Sequence, residues 1–223
     1  MHIASGFLSP PVWGAMAAVS GAALAGSLAL AGKRLDERKV PLMGVMGAFI
    51  FAAQMVNFPI LAGTSGHLGG GFLLGILLGA PLGIIVMASI LVVQSLLFQD
   101  GGVEALGANI FVMGVLPCLL GAVVRPLWMR TKVGPVTDAL TFLVAWLGLV
   151  TSATAVVLML WMSGSLPGRV TLLGALGVMD SIHLFIGLVE GLVSVAVVRF
   201  VLAARREAVL GAASVAATDR RAA

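Results

Sequence analysis

The chain carries three histidines, His2, His67 and His183, and one cysteine, Cys118. His2 sits beside the chain terminus, which gives its ring a chemistry an internal histidine lacks. The Met1 amine, the His2 backbone nitrogen once ionised, and His2 Nδ1 can grip one cation, closing a five-membered and then a six-membered chelate ring. These three nitrogens lie in one plane, and a fourth from His67 completes a square. Such a square suits Ni(II) or Cu(II), whereas Zn(II) prefers a tetrahedron. Co(II) is accepted if the site imposes its geometry. The amine must be unprotonated and the amide ionised, so such binding releases protons and weakens in acid.

Neighbouring residues fit that chemistry. Gly6, Pro10 and Pro11 can turn the segment 1–10 back into the protein. His67 lies in "GTSGHLGGG", where Gly63, Gly66, Gly69, Gly70 and Gly71 allow an inserted strand to approach the backbone closely. The competing reading of this stretch is a flexible loop. In "MDSIHLFIGLVEGLVSV", Asp180, His183, Gly187 and Glu190 fall on roughly one helical face. A carboxylate within an apolar span needs a partner or water, so Glu190 should face inward. Gln54, Asn57, Ser65, Asp180, His183 and Glu190 are therefore candidates to support the metal ligands Met1, His2 and His67 rather than to bind metal. Cys118 reads as a small packing residue.

The elements that must position these groups are membrane helices. Of 223 residues, 60% are hydrophobic and 10% charged, with a mean hydropathy of +1.14. A soluble domain of this size could not hide that much apolar surface. The expected fold is all-α, a polytopic transmembrane bundle, because the apolar runs are continuous rather than alternating. Five runs are plain, at 11–32, 40–63, 109–129, 136–162 and 180–204. A sixth region, 68–98, is interrupted by "GAPLG" around Pro81 and reads as two short helices or a re-entrant pair.

Charge sets the expected orientation. Lys33, Arg34, Arg38 and Lys39 follow the first run, Arg125, Arg130 and Lys132 flank a later loop, and Arg205 and Arg206 close the last. Placing them all on the cytoplasmic side requires 64–108 to cross an even number of times, for seven spans with the amino terminus outside and the carboxyl terminus inside. Arg169 remains outside. The net charge of +4 reports this topology and not a nucleic-acid partner. Gln99, Asp100, Gly101, Gly102, Glu104, Gly107 and Asn109 read as an outer cap of tight turns. Residues 1–206 form one membrane domain, and 207–223 a frayed cytoplasmic tail. Small residues at Ala18, Ala22 and Gly26, and at Gly44 and Ala48, could pack the bundle or receive another membrane subunit.

Four stretches, "MHI..GFLSPPVW", "GTSGHLGGG", "LLFQDGGVEALGANIFVMG" and "HLFIGLVEGLVSV", resemble the CbiM/NikM family. These are substrate-binding membrane components of energy-coupling factor (ECF) transporters for cobalt and nickel. The resemblance spans Met1 to about Arg206. It implies seven spans, an extracytoplasmic amino terminus that inserts into the bundle, and metal ligation by Met1, His2 and His67. It does not extend to His183. It also implies partners: a transmembrane coupling subunit, two cytoplasmic ATPase subunits and a small CbiN-type membrane protein, all in the cell (inner) membrane. The cargo would be Co(II) or Ni(II), with no prosthetic group. The amino-terminal device is shared by both branches, and the motif set as a whole is nearer the cobalt side.

Other classes fit less well. The chain has no G-x-x-x-x-G-K-[ST] loop, so it cannot itself hydrolyse ATP by that device, and no H-E-x-x-H or G-x-S-x-G, so no enzyme of those types is expected. A self-contained channel or secondary transporter would need a file of polar groups, and the spans carry few.

Overall fold

The computed structural model describes residues 1–35, 37, 39–61, 63–130 and 134–210. Eight α-helices follow one another: α1 Pro10–Arg34, α2 Lys39–Gln54, α3 Gly71–Leu78, α4 Ala80–Val93, α5 Leu106–Ile110, α6 Leu116–Arg130, α7 Pro135–Met162 and α8 Leu172–Leu210. Short π-helical turns, Gln94–Phe98 and Phe111–Val115, extend α4 and join α5 to α6. A two-residue antiparallel hairpin pairs β1 Phe58–Pro59 with β2 Ser65–Gly66. Among the described residues, five helices are long and apolar enough to cross a membrane: Pro10–Gly32, Ala80–Phe98, Leu106–Met129, Pro135–Met162 and Leu172–Ala204.

Proline sits in the first turn of α1, α4 and α7, where its missing N–H has no helical partner to lose. This explains a shift from expectation within 68–98. The break between α3 and α4 falls at Gly79, with φ 82° and ψ 158°, a conformation reserved to glycine, and Pro81 lies within the first turn of α4. The region is thus one eight-residue helix and one of full length. Three other boundaries also move. The second run ends as helix at Gln54, because the chain then turns into the hairpin at Phe58–Pro59. The third begins at Leu106, so Gly107 and Asn109 are helical rather than part of a cap. The last begins at Leu172, eight residues before the expected start, and its helix continues through Leu210; the rest of the expected tail lies outside the described residues.

Packing depends on glycine at particular contacts. A Cβ at Gly71, Gly75 or Gly121 would overlap the carbonyl oxygens of Met113, Cys118 and Phe72 respectively, so α3 and α6 touch backbone to backbone. In lipid such close approach supplies the dispersion that helix association relies on. The stripes singled out from sequence behave differently. Ala18, Ala22, Gly26, Gly44 and Ala48 are exposed, and a Cβ on Gly26 or Gly44 would meet nothing within 4 Å. They do not pack this bundle.

Polar ties mark the two ends. Arg125 donates to the carbonyls of Ile76 (2.7 Å), Leu77 (2.9 Å) and Val209 (2.7 Å), tying α6 to the last turns of α3 and α8. Asp138 and Arg199 pair across α7 and α8 at that same end. At the opposite end Ser20 donates to the Gly107 carbonyl at 2.6 Å, and Ser9 lies 3.5 Å from Ser163, hydroxyl to hydroxyl. The start of the chain and the end of α8 therefore lie at opposite ends of the bundle. Replacing Gly75 by Ala should destabilise the purified protein by about 1–3 kcal/mol through overpacking, measured as a lowered thermal midpoint in detergent.

Candidate metal site at the inserted amino terminus

Residues 1–6 are held within the bundle by their backbone. Ile3 forms an antiparallel bridge with Thr64, and Ala4 N–H donates to the Gly63 carbonyl at 2.8 Å. From the other side Gly102 N–H donates to the Ile3 carbonyl at 2.8 Å, and Gly6 N–H donates to the Glu104 carboxylate. Asn109 closes the cradle: its Oδ1 accepts from Ile3 N–H (2.8 Å) and its Nδ2 donates to the Ile3 carbonyl (3.1 Å). Met1, His2 and Ile3 are consequently 1%, 3% and 0% exposed. Glycine is required where the strands touch, since a Cβ on Gly63 would strike the Phe7 ring and one on Gly102 the backbone of Ser5.

The His2 tautomer follows from a chain of hydrogen bonds whose direction is set at its far end. The Gly69 carbonyl can only accept, so Gln54 presents its amide nitrogen there (2.7 Å) and its oxygen to Gln94. Gln94 then donates its amide nitrogen to Gln54 Oε1 (3.0 Å) and presents Oε1 to His2 Nε2 (3.0 Å). His2 Nε2 must therefore carry the hydrogen, which leaves a lone pair on Nδ1. The same reasoning holds for His67, whose Nδ1–H donates to the Leu68 carbonyl at 2.8 Å and leaves Nε2 free. Both His2 Nδ1 and His67 Nε2 are buried without a hydrogen-bond partner, and the two rings lie 4.6 Å apart, centroid to centroid. Buried polar atoms are nearly always paired. Two unpartnered imidazole lone pairs thus lie side by side, next to a buried amine, and such nitrogens are of the type that ligate transition metals.

Protonation states agree. Burial holds the Met1 amine well below its ordinary value of 8.0, with Asp100 opposing. Burial, then the adjacent amine, pushes His2 down to about 3, and the same causes lower His67. Both rings are thus neutral at neutral pH, and burial favours the uncharged form of the amine. Asp100 moves the other way, raised chiefly by burial while the amine and Asn57 pull it down. Among the described residues no group of three or more His, Cys, Asp or Glu side chains is placed to hold a metal. A site that draws two of its donors from the main chain would not form such a group.

The candidate supporting residues divide. Ser65 Oγ accepts from His2 N–H at 3.3 Å, and Gln54 belongs to the tautomer-setting chain. Glu190 accepts from Gly69 N–H (2.9 Å) and Gly70 N–H (2.8 Å), fixing the segment that follows His67. Asn57 donates to Asp100 Oδ2 at 2.8 Å. His183 is fully buried, donates Nδ1–H to the Met179 carbonyl at 2.8 Å and keeps Nε2 unpartnered. Asp180 instead accepts from Thr154 at 3.1 Å and touches none of these groups in a hydrogen bond. Gln94 escaped the sequence reading, although a lone glutamine in "SILVVQSLLF" was a visible signal. In the sequence alone, Asn109 and Asp100 look like parts of a cap.

A multi-pass membrane protein with buried nitrogen donors at one end of its bundle is built for transition-metal transport. Comparison with known proteins agrees: residues 2–208 match the family described as the cobalt uptake substrate-specific transmembrane region. The chain belongs to that family. It is 34% identical, over 94% of its length and 93% of the other, to a Haloquadratum walsbyi protein that carries a metal-transport name. It is 37% identical, over 94% of its length, to an Archaeoglobus fulgidus protein named as a fused nickel transport protein of the NikMN type, of which it covers 68%. A crystal structure of a transition metal transporter superposes with a TM-score of 0.80 at 30% identity, covering 94% of this chain and 96% of that one.

Asn109→Ala would strand the buried Ile3 N–H, while the Ile3 carbonyl keeps Gly102 N–H, at a cost of about 1–3 kcal/mol. Labelling of the Met1 amine by an amine-reactive reagent, followed by mass spectrometry, should then run about tenfold faster than in the parent protein.

Proposed function

We propose that this protein is the substrate-binding membrane component of an ATP-driven ECF-type importer, and that it captures divalent cobalt or nickel through its own amino terminus. The observation that carries the reading is the pair of buried, unpartnered lone pairs on His2 Nδ1 and His67 Nε2 beside the buried amine. The ligands are the Met1 amine, the ionised His2 amide nitrogen, His2 Nδ1 and His67 Nε2. Ser65 supports this role, since its hydroxyl is the group in contact with the amide hydrogen that must leave. Planar nitrogen donation favours Ni(II) on chemical grounds. The family description favours cobalt, which is the cargo we assign.

In this reading the amino-terminal end of the bundle is extracytoplasmic and the end of α8 is cytoplasmic. The gathering of Arg125, Arg199 and the start of α2 at Lys39 away from the amino terminus supports it. The chain passes seven times between the two ends, with α3 as a half-length pass. Its eight residues cover only about 12 Å, and the bent segment before it supplies the remaining depth. Energy comes from two cytoplasmic ATPase subunits through a transmembrane coupling subunit, with a small CbiN-type protein as accessory. The exposed Ala18, Ala22 and Gly26 on α1 offer the coupling subunit a smooth face. Reorientation of the bundle against that subunit opens the site inward, and undocking of the amino-terminal segment dissolves the chelate.

Binding of Co(II) and Ni(II) by purified protein, and uptake by cells, test this directly. His2→Ala and His67→Ala should each lower affinity at least about a hundredfold, and one residue added ahead of Met1 should do the same. Unchanged binding in the extended protein would remove the chelate. On this reading the amine and imidazoles are neutral before the ion arrives, so only the His2 amide should lose a proton. Calorimetry between about pH 7 and pH 9 should find one proton released per ion, with affinity falling tenfold for each unit of acidification.

A further inference from the structure

Asp100 faces the candidate donors in a way that the nitrogen set leaves unexplained. Its Oδ1 lies 3.2 Å from His2 Nδ1, yet no hydrogen bond joins them. The tautomer-setting chain makes Nδ1 a lone-pair acceptor, and a carboxylate oxygen is also an acceptor. Two acceptors confronting each other at this distance repel unless something positive stands between them. The carboxylate is not free to turn away, since Asn57 holds Oδ2 at 2.8 Å. The loop is also pinned. Gln99 is the one non-glycine residue with positive φ (55°) among the described residues, Gly101 follows at 89°, and Asp100 N–H donates to the Gln94 carbonyl at 3.1 Å.

The spacing fits a shared cation. Two donors at about 2.0–2.2 Å from one ion and about 100° apart are separated by about 3.2 Å. The in-plane positions next to Nδ1 belong to the His2 amide nitrogen, through the chelate ring, and to His67. An oxygen adjacent to Nδ1 must therefore lie above the plane. Asp100 also borders the solvent: its side chain is 18% exposed against 3% for His2, and its tether Asn57 is exposed. Asp100 is thus the more solvent-accessible member of the pair.

We propose that Asp100 Oδ1 is an axial oxygen ligand to the divalent transition-metal cation held by the four nitrogens, and that it is the first protein group an arriving hydrated ion meets. The inference rests on the amino-terminal nitrogen site proposed above. It also balances charge: a dication bound to one ionised amide retains one positive charge, and the carboxylate cancels it inside a low-dielectric bundle. An axial oxygen makes the site five-coordinate, which Co(II) accepts more readily than Ni(II) or Cu(II) in a square plane. Asp100 would therefore tilt the site toward cobalt.

The test uses full-length protein loaded with Ni(II) and, separately, Co(II), with X-ray absorption as the readout. The parent protein should lack the pre-edge feature of a four-coordinate square plane. Asp100→Asn and Asp100→Ala should both bind nickel and display it, and the two variants together separate loss of the ligand from any new hydrogen bond of the amide to Nδ1. Stopped-flow association should slow about tenfold in both. A square-planar pre-edge in the parent, or edge spectra unchanged in both variants, overturns the proposal. His2→Ala separates the two readings: bound nickel with an unaltered spectrum in that variant sinks the nitrogen site itself, whereas loss of binding there alongside unchanged Asp100 variants sinks only the axial ligand.

Discussion

The arrangement at this site depends on a buried Met1 amine, whose charged form burial disfavours. A terminal ammonium left alone in an apolar interior would cost several kcal/mol, so it must either be paired or give up its proton. Here burial lowers the amine, and the backbone of residues 3–6 satisfies itself on partners from three segments: Gly63 and Thr64 of the hairpin, Gly102 and Glu104 of one loop, and Asn109 of α5. The terminus is docked as the edge of a miniature sheet would be, by main-chain hydrogen bonds. Docking of this kind needs little from side chains at the terminus itself, which leaves His2 Nδ1 without a hydrogen bond.

The rest of the bundle follows from placing partners around that segment. Glu190, halfway along α8, accepts from consecutive amides at Gly69 and Gly70, and that contact stops the chain from becoming helix until Gly71. The result is a shortened α3, whose depth is given instead to the loop that carries His67. Gly71 and Gly75 let this short helix lie directly on α6. Arg125 caps its far end by accepting none and donating to the carbonyls that the last turn leaves open. A half-length helix held by a carboxylate at one end and a guanidinium at the other makes room for the inserted terminus without opening the bundle to solvent.

Much of the architecture was legible in the residues. Continuous apolar runs announce long helices because lipid demands that backbone groups be satisfied within one segment. The exceptions have physical causes. Residues 55–63 are apolar enough to pass for helix, but Asn57 and Pro59 leave the helix to make the hairpin beneath the site. Proline drew the expected hinge to Pro81, although the backbone that breaks is Gly79. At the site, His2 and His67 stood out because position and type together carry a chemistry. Gln94, Asn109 and Asp100 did not, because a single polar residue at the end of an apolar run has the same appearance whether it caps a loop or aligns an imidazole. Hydrogen-bond direction, which only three-dimensional partners reveal, is what distinguishes them.

Anomalous diffraction from crystals of the Co(II)-loaded protein addresses the central claim most directly. The account requires a single strong peak within about 2.0–2.2 Å of the Met1 nitrogen, His2 Nδ1 and His67 Nε2, with residues 1–6 docked between Thr64 and Asn109. A peak elsewhere in the bundle, or an amino-terminal segment lying outside it while cobalt is bound, would contradict it.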